Sequence, residues 1–149
     1  MTSWSEIFGA ELLGKDGVTK TEDTLQNKKI VGIYFSSKRC LPCREFTPLL
    51  AAVYEEMVEE HPEFEIVYVS SDKDDDEFTN YFHEMPWKAL PFTCHDKRQE
   101  LKDEYTTLIP WLVFLNEKGE SLTEDGRMIV SDALGNINQI WETLVSLNK

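Results

Sequence analysis

Hydrophobic and polar positions alternate along this chain with two periods, and the switches between them mark the elements. Trp4, Ile7 and Phe8 recur at three-and-four spacing, a helical turn that packs on a neighbour. Leu12-Leu13-Gly14 and the stretch from Val18 to Leu25 are divided by Lys15-Asp16-Gly17, whose Asp-Gly pair predicts a small hairpin. Lys29 to Ser36 is a nearly continuous apolar and aromatic run and reads as a central strand buried on both faces. Phe46, Leu49, Leu50, Val53 and Met57 then return at helical spacing, with Glu55, Glu56, Glu59 and Glu60 elsewhere around the barrel. Pro48 lies inside that pattern and predicts a kink, and His61-Pro62 stops the helix.

Phe64 to Ser70 predicts a second buried strand, and Asp74 to Met85 a helix with Phe78, Tyr81, Phe82 and Met85 on one stripe, ended at Pro86. A further helix fits Lys97 to Tyr105. Leu108 to Leu115 reads as a third apolar strand, with Asn116 to Glu120 as a turn into a strand around Met128 to Val130. Leu134, Ile137, Ile140, Trp141, Leu144 and Leu147 share one side of a last helix, which follows a polar start at Ser131-Asp132. Helices alternate with strands first and a strand pair comes late, so the expected fold is α/β: a three-layer sandwich, with a mixed sheet covered by helices on both faces.

The 149 residues, 41% of them hydrophobic, fit one domain over 1–149 with a real core. Fifteen Lys and Arg against 28 Asp and Glu give a net charge of -13, which repels phosphate backbones and anionic membrane surfaces. Nucleic acid and membrane are therefore not expected partners, and self-repulsion favours a monomer. Met1 to Ala10 contains Glu6 and no apolar stretch after a basic start, and no apolar run approaches the roughly 20 residues that span a bilayer. A cytoplasmic address is expected, extending to the nucleus.

Three cysteines, an odd number, do not make a disulfide-stapled scaffold. Their arrangement is more telling: Cys40 and Cys43 enclose Leu41-Pro42 where a buried strand hands over to a helix, and Cys94 stands alone. A thiol attacks a disulfide as thiolate, and a helix N-terminus supplies partial positive charge and free backbone donors that favour that form. Cys40 lies just before the terminus and Cys43 just inside it, placed to attack a mixed disulfide formed at Cys40. Lys38, Arg39 and Arg44 add local positive charge to an otherwise acidic chain. The competing readings are two half-buried structural cysteines or half of a zinc site. For zinc, the further ligands near one another are Cys94 and His95, which face opposite sides of an extended segment, so no metal is expected.

Tyr34-Phe35-Ser36, Cys40-Leu41-Pro42-Cys43-Arg44 with Phe46-Thr47-Pro48, Ser71-Asp72 before an acidic helix, and Met85-Pro86-Trp87 with Leu90-Pro91-Phe92 form a joint pattern. From about Leu12 to Val130 the chain resembles the tryparedoxin and nucleoredoxin branch of the thioredoxin superfamily. The resemblance implies a thioredoxin-like fold with an N-terminal hairpin extension, Cys40 as nucleophile and Cys43 as resolving thiol. It also implies a cis-proline at Ile109-Pro110 facing the pair, with Ile109 offering its backbone to the substrate chain. Two positions depart from the family pattern. Arg39 stands where the family has Trp before the first cysteine, and Trp111 stands where it has Thr after the cis-proline. Arg39, Ile109, Pro110 and Trp111 are thus the expected substrate-facing residues.

The function implied is thiol-disulfide exchange on protein or small-molecule disulfides, with no bound cofactor and an external thiol or reductase as donor. Disulfide-containing proteins, a peroxiredoxin-type peroxidase among them, are the expected partners. The alternative is a nucleoredoxin-type module in which redox state gates protein binding with little turnover. Other signals point to plainer roles. Asp72 to Glu77 lacks the Gly and the bidentate Glu of a calcium loop and reads as an acidic first turn capped by Asp74. Asp72 reads first as a solvated strand-end carboxylate, with proton transfer at the pair as the sharper alternative. Cys94 reads as a packed thiol, Arg127 as a solvated turn residue, and His61, His83 and His95 as scattered.

Overall fold

A computed structural model describes residues 3–106 and 108–148 of the chain, so residues 1, 2, 107 and 149 of the expected 1–149 domain lie outside it. The described elements are α1 (Trp4–Phe8), β1 (Glu11–Gly14), β2 (Gly17–Lys20), α2 (Thr21–Leu25), β3 (Ile30–Ser36), α3 (Leu41–Glu60), β4 (Phe64–Ser70), α4 (Asp75–Phe82), β5 (Lys88–Ala89), α5 (His95–Tyr105), β6 (Trp111–Asn116), β7 (Ser121–Thr123), α6 (Gly126–Asp132) and α7 (Ile137–Leu147). They build one seven-stranded sheet in the order β2-β1-β5-β4-β3-β6-β7. β3, β4 and β5 run parallel, and the remaining pairings are antiparallel.

The two central strands are buried along their whole length, and their side chains divide by the period-2 pleat into two cores. Ile30, Tyr34, Phe64, Ile66, Tyr68, Leu112 and Phe114 face a layer made of α3, α4, α6 and α7. Val31, Ile33, Phe35, Val67, Val69, Val113 and Leu115 face α1, α2 and α5 through Trp4, Phe8, Leu25 and Leu101. Each strand is therefore near-continuously apolar because both faces are covered. Aromatic packing sets the first core: Tyr34 meets Trp87 edge-on at 5.7 Å, and Tyr68 stacks on Phe78 at 5.9 Å.

The late elements differ from their sequence patterns. The strand paired with β6 is Ser121–Thr123, directly after the turn, whereas Met128 to Val130 lies in α6. The reason is visible at Gly126. A Cβ there would stand 2.6 Å from the Leu112 carbonyl oxygen, so only glycine lets this helix begin so close to β6. Leu134 does not join the last helix; it sits in the connector at φ 51 with 90% of its surface exposed, and α7 starts at Ile137 under an Asn136 cap. The first hairpin is also shorter than its pattern. Its register runs from Glu11↔Lys20 to Gly14↔Gly17, and Thr21 to Leu25, with two acids in the first turn, is helical. Helix α4 ends at Phe82, before Met85, while α5 begins at His95 and β6 at Trp111. Helix α3 stays a single element through Pro48.

Candidate active site

β3 ends at Ser36 and α3 begins at Leu41, so the intervening residues form a loop at the carboxyl edge of the sheet. This is where open α/β sheets place their chemistry. Cys40 is the N-cap of α3, with its sulfur accepting a hydrogen bond from the Cys43 amide at 3.3 Å. Pro42, in the first turn, removes a donor that has no helical partner there. The sulfurs of Cys40 and Cys43 lie at disulfide distance, with Cα atoms 5.2 Å apart. Cys40 is half-buried, whereas Cys43 is fully buried. Burial pushes the Cys43 thiol up to about 12; its hydrogen bond with Cys40 adds to the rise, and Ser36 and the Ser37 backbone act against it. Burial thus disfavours the charged form of Cys43.

Opposite the pair, the Ile109-Pro110 peptide is cis, and the Ile109 carbonyl oxygen lies 3.9 Å from Cys40 Sγ. Trp111 follows at the start of β6, half-buried against a groove it shares with Glu124, Asp125, Arg127, Met128 and Ser131. The structure therefore brings Cys40, Cys43, Ile109 and Pro110 together, with Trp111 at their edge. Arg39 does not lie free beside the sulfur: its guanidinium is ion-paired with Glu77 on α4. Arg39 in turn holds the Glu77 carboxyl below the usual carboxylate range.

The loop is anchored from below by residues that the sequence pattern did not single out for this role. Asp72 is buried, not solvated; it accepts hydrogen bonds from the Lys38 amide at 2.7 Å and from the Tyr68 and Ser70 hydroxyls at 2.6 Å each. A second cluster ties β3, α3 and α4 together beneath Cys43. Tyr34 and Thr47 hydroxyls are 2.7 Å apart, Thr47 and Tyr81 2.6 Å, and Tyr81 and Ser36 3.0 Å. Arg98, buried on α5, donates to the Ser70 and Phe92 carbonyls and meets His95 Nδ1, which fixes α5 to the end of β4. Hydroxyls set within the apolar stretches of β3, α3 and α4 were the available signal, since a buried hydroxyl requires partners. Asp74 caps α4, accepting from the Glu77 amide at 2.9 Å. Cys94 precedes α5 without capping it through its side chain.

Comparison with known proteins places this geometry. The Thioredoxin-like family model matches residues 27–121, which include the cysteine pair, the cis-proline and the central strands. Nucleoredoxin from Bos taurus is 38% identical over 126 residues, covering 84% of this chain and 29% of its own length. The chain thus spans under a third of that relative. Tryparedoxin from Trypanosoma brucei superposes with a TM-score of 0.79 at 32% identity, covering 88% of this chain and 90% of its own. A thioredoxin from Wuchereria bancrofti superposes at 0.78 with 35% identity, covering 94% and 96%. Motif, fold and pair geometry agree that the chain belongs to the thioredoxin-like family, in its tryparedoxin and nucleoredoxin branch, and carries the cysteine pair of a thiol-disulfide oxidoreductase.

Proposed function

We infer that the chain is a dithiol disulfide reductase acting on protein or small-molecule disulfides. In the reduced form the Cys40 thiolate attacks one sulfur of the substrate disulfide. A Cys40–substrate bond forms, the substrate S–S bond breaks, and the departing sulfur takes the electron pair and then a proton. Cys43 then loses its proton and attacks Cys40 Sγ, releasing the second substrate thiol and leaving Cys40–Cys43 oxidised. Two electrons have passed to the substrate, and an external thiol or reductase returns them. The single observation that carries this reading is the asymmetry of the pair. One sulfur caps a helix in a half-buried position beside the cis-proline, and the other is sealed beneath it within bonding reach. The Ile109 backbone supports the substrate chain as an added strand, and Trp111 walls the groove.

Disulfide-bearing proteins, a peroxiredoxin-type peroxidase among them, are the substrates this reading favours, with the protein a monomer in the cytoplasm or nucleus. Among the described residues no helix is long and apolar enough to cross a membrane. Insulin reduction with dithiothreitol as donor tests the reading: wild type accelerates precipitation of the insulin B chain and Cys40→Ser does not. The engagement of Arg39 by Glu77, where the family carries Trp, favours a second reading: a redox-gated binding module with little turnover. Absence of insulin reduction together with partner capture by the reduced form alone would select it.

A further inference from the structure

A second groove opens on the other side of the cis-proline loop, between that loop and α5. It encloses about 340 Å³ and is lined by Ser71, Gln99, Lys102, Asp103, Leu108 and Ile109, among others. Ile109 belongs both to this groove and to the wall facing Cys40 Sγ, so a chain laid along its backbone runs from the sulfur into the groove. Lys102 is only partly exposed, and among the described residues its ammonium has neither a hydrogen-bond nor an ion-pair partner. Its neighbour Asp103 is already engaged, accepting from the Gln99 side-chain amide at 2.9 Å.

In a chain of net charge -13, Lys102 sets a half-sheltered cation on the wall of the groove that Ile109 links to Cys40 Sγ, and charge of this kind is used for recognition. Lys38, in the loop before Cys40, and Arg44, in the first turn of α3, are not among the residues that line this groove. Arg39 is taken up by Glu77, and Arg127 shares its groove with Glu124 and Asp125. Burial holds the Lys102 ammonium below the ordinary lysine range, which marks partial desolvation and strengthens any contact it makes with an anion.

We propose that Lys102 is a specificity-determining residue that pairs with an acidic side chain close to the reactive cysteine of a protein substrate, when that substrate's chain lies along Ile109. The inference rests on the disulfide-reductase reading and names the substrate class for the same site. The test uses short peptide disulfides in which Glu, Gln or Lys is scanned through the three positions on each side of the cysteine, with wild type, Lys102→Gln and Lys102→Glu compared at low salt.

The readout is the ratio of kcat/KM for Glu and Lys peptides, which a partial loss of folded protein does not move. Wild type should favour Glu over Lys by about fivefold at one or two positions, in keeping with a partly screened ion pair. Lys102→Gln should bring that ratio to about one, and Lys102→Glu should invert it. A wild-type ratio near one at every position, or one that persists in Lys102→Gln, overturns the assignment. Failure of wild type to reduce even the Gln peptides overturns the reductase reading itself, and the role of Lys102 with it.

Discussion

Removing the Asp72 carboxylate should loosen the redox loop while leaving both cysteines in place. The side chain is 6% exposed and satisfies three donors: the Lys38 amide, the Tyr68 hydroxyl and the Ser70 hydroxyl. In Asp72→Ala the Tyr68 hydroxyl keeps its contact with the Ser36 carbonyl at 3.3 Å, but the Lys38 amide and the Ser70 hydroxyl lose their carboxylate partner. Each orphaned buried donor costs about 1–3 kcal/mol. Part of that loss is offset because a buried charge no longer has to be desolvated. The expected destabilisation is about 3 kcal/mol on that basis. Asp72→Asn retains an oxygen for the Lys38 amide, and the two hydroxyls can rotate to accept from its NH2, so its cost should be about 1 kcal/mol. Urea unfolding of the oxidised proteins at pH 7 gives both values, and amide exchange at Lys38 reports the loop directly. Faster Lys38 exchange should accompany the alanine change. A cost below about 1 kcal/mol for Asp72→Ala, or equal costs for Ala and Asn, would refute the anchoring role.

Gly126→Ala should destabilise by about 2 kcal/mol in the same urea experiment, because the new methyl meets the Leu112 carbonyl oxygen at 2.6 Å and the Leu112 side chain at 2.8 Å. A neutral result would mean that α6 shifts freely away from β6. The reduced protein should also lose stability in alkali. The folded Cys43 thiol is raised to about 12 whereas an unfolded cysteine ionises near 8.5, so its contribution is intact below about pH 8.5 and falls as pH rises toward 12. Between pH 8.5 and 10, reduced wild type should therefore weaken more steeply than reduced Cys43→Ala in urea titrations, and parallel curves would contradict the buried-thiol assignment. Burial likewise raises Tyr34, Tyr54 and Tyr68, which extends the decline common to both proteins at higher pH.

The central layer was legible because two strands buried on both faces leave an apolar run that no surface element shows, and the Cys40-Leu41-Pro42-Cys43 step sits at their exit. The cis bond at Ile109-Pro110 came through resemblance, since nothing in the residues themselves separates cis from trans. What local pattern missed depends on contacts far apart in sequence. Ile129 and Val130 read as β-formers, yet their place in α6 follows from the approach of Gly126 to Leu112 across the fold. Leu134 fits an apolar helical stripe and is nonetheless exposed, because the chain turns there before Asn136 can cap α7. Asp72 resembles any strand-end carboxylate until Tyr68, Ser70 and Lys38 close around it. Glu77 lies within an acidic first turn that capping already explains, so its pairing with Arg39, 38 residues away, leaves no trace in the local pattern.

Trapping the half-reaction tests the division of labour between the two sulfurs most directly. Reduced Cys43→Ala and reduced Cys40→Ser are each mixed with a short peptide disulfide at pH 7, quenched with acid and mapped by mass spectrometry. Cys43→Ala should accumulate a peptide adduct at Cys40 that persists until dithiothreitol is added, and Cys40→Ser should carry none at the buried Cys43. An adduct on Cys43 in the serine variant, or an unmodified Cys40 in the alanine variant, would contradict the assignment of Cys40 as the attacking sulfur.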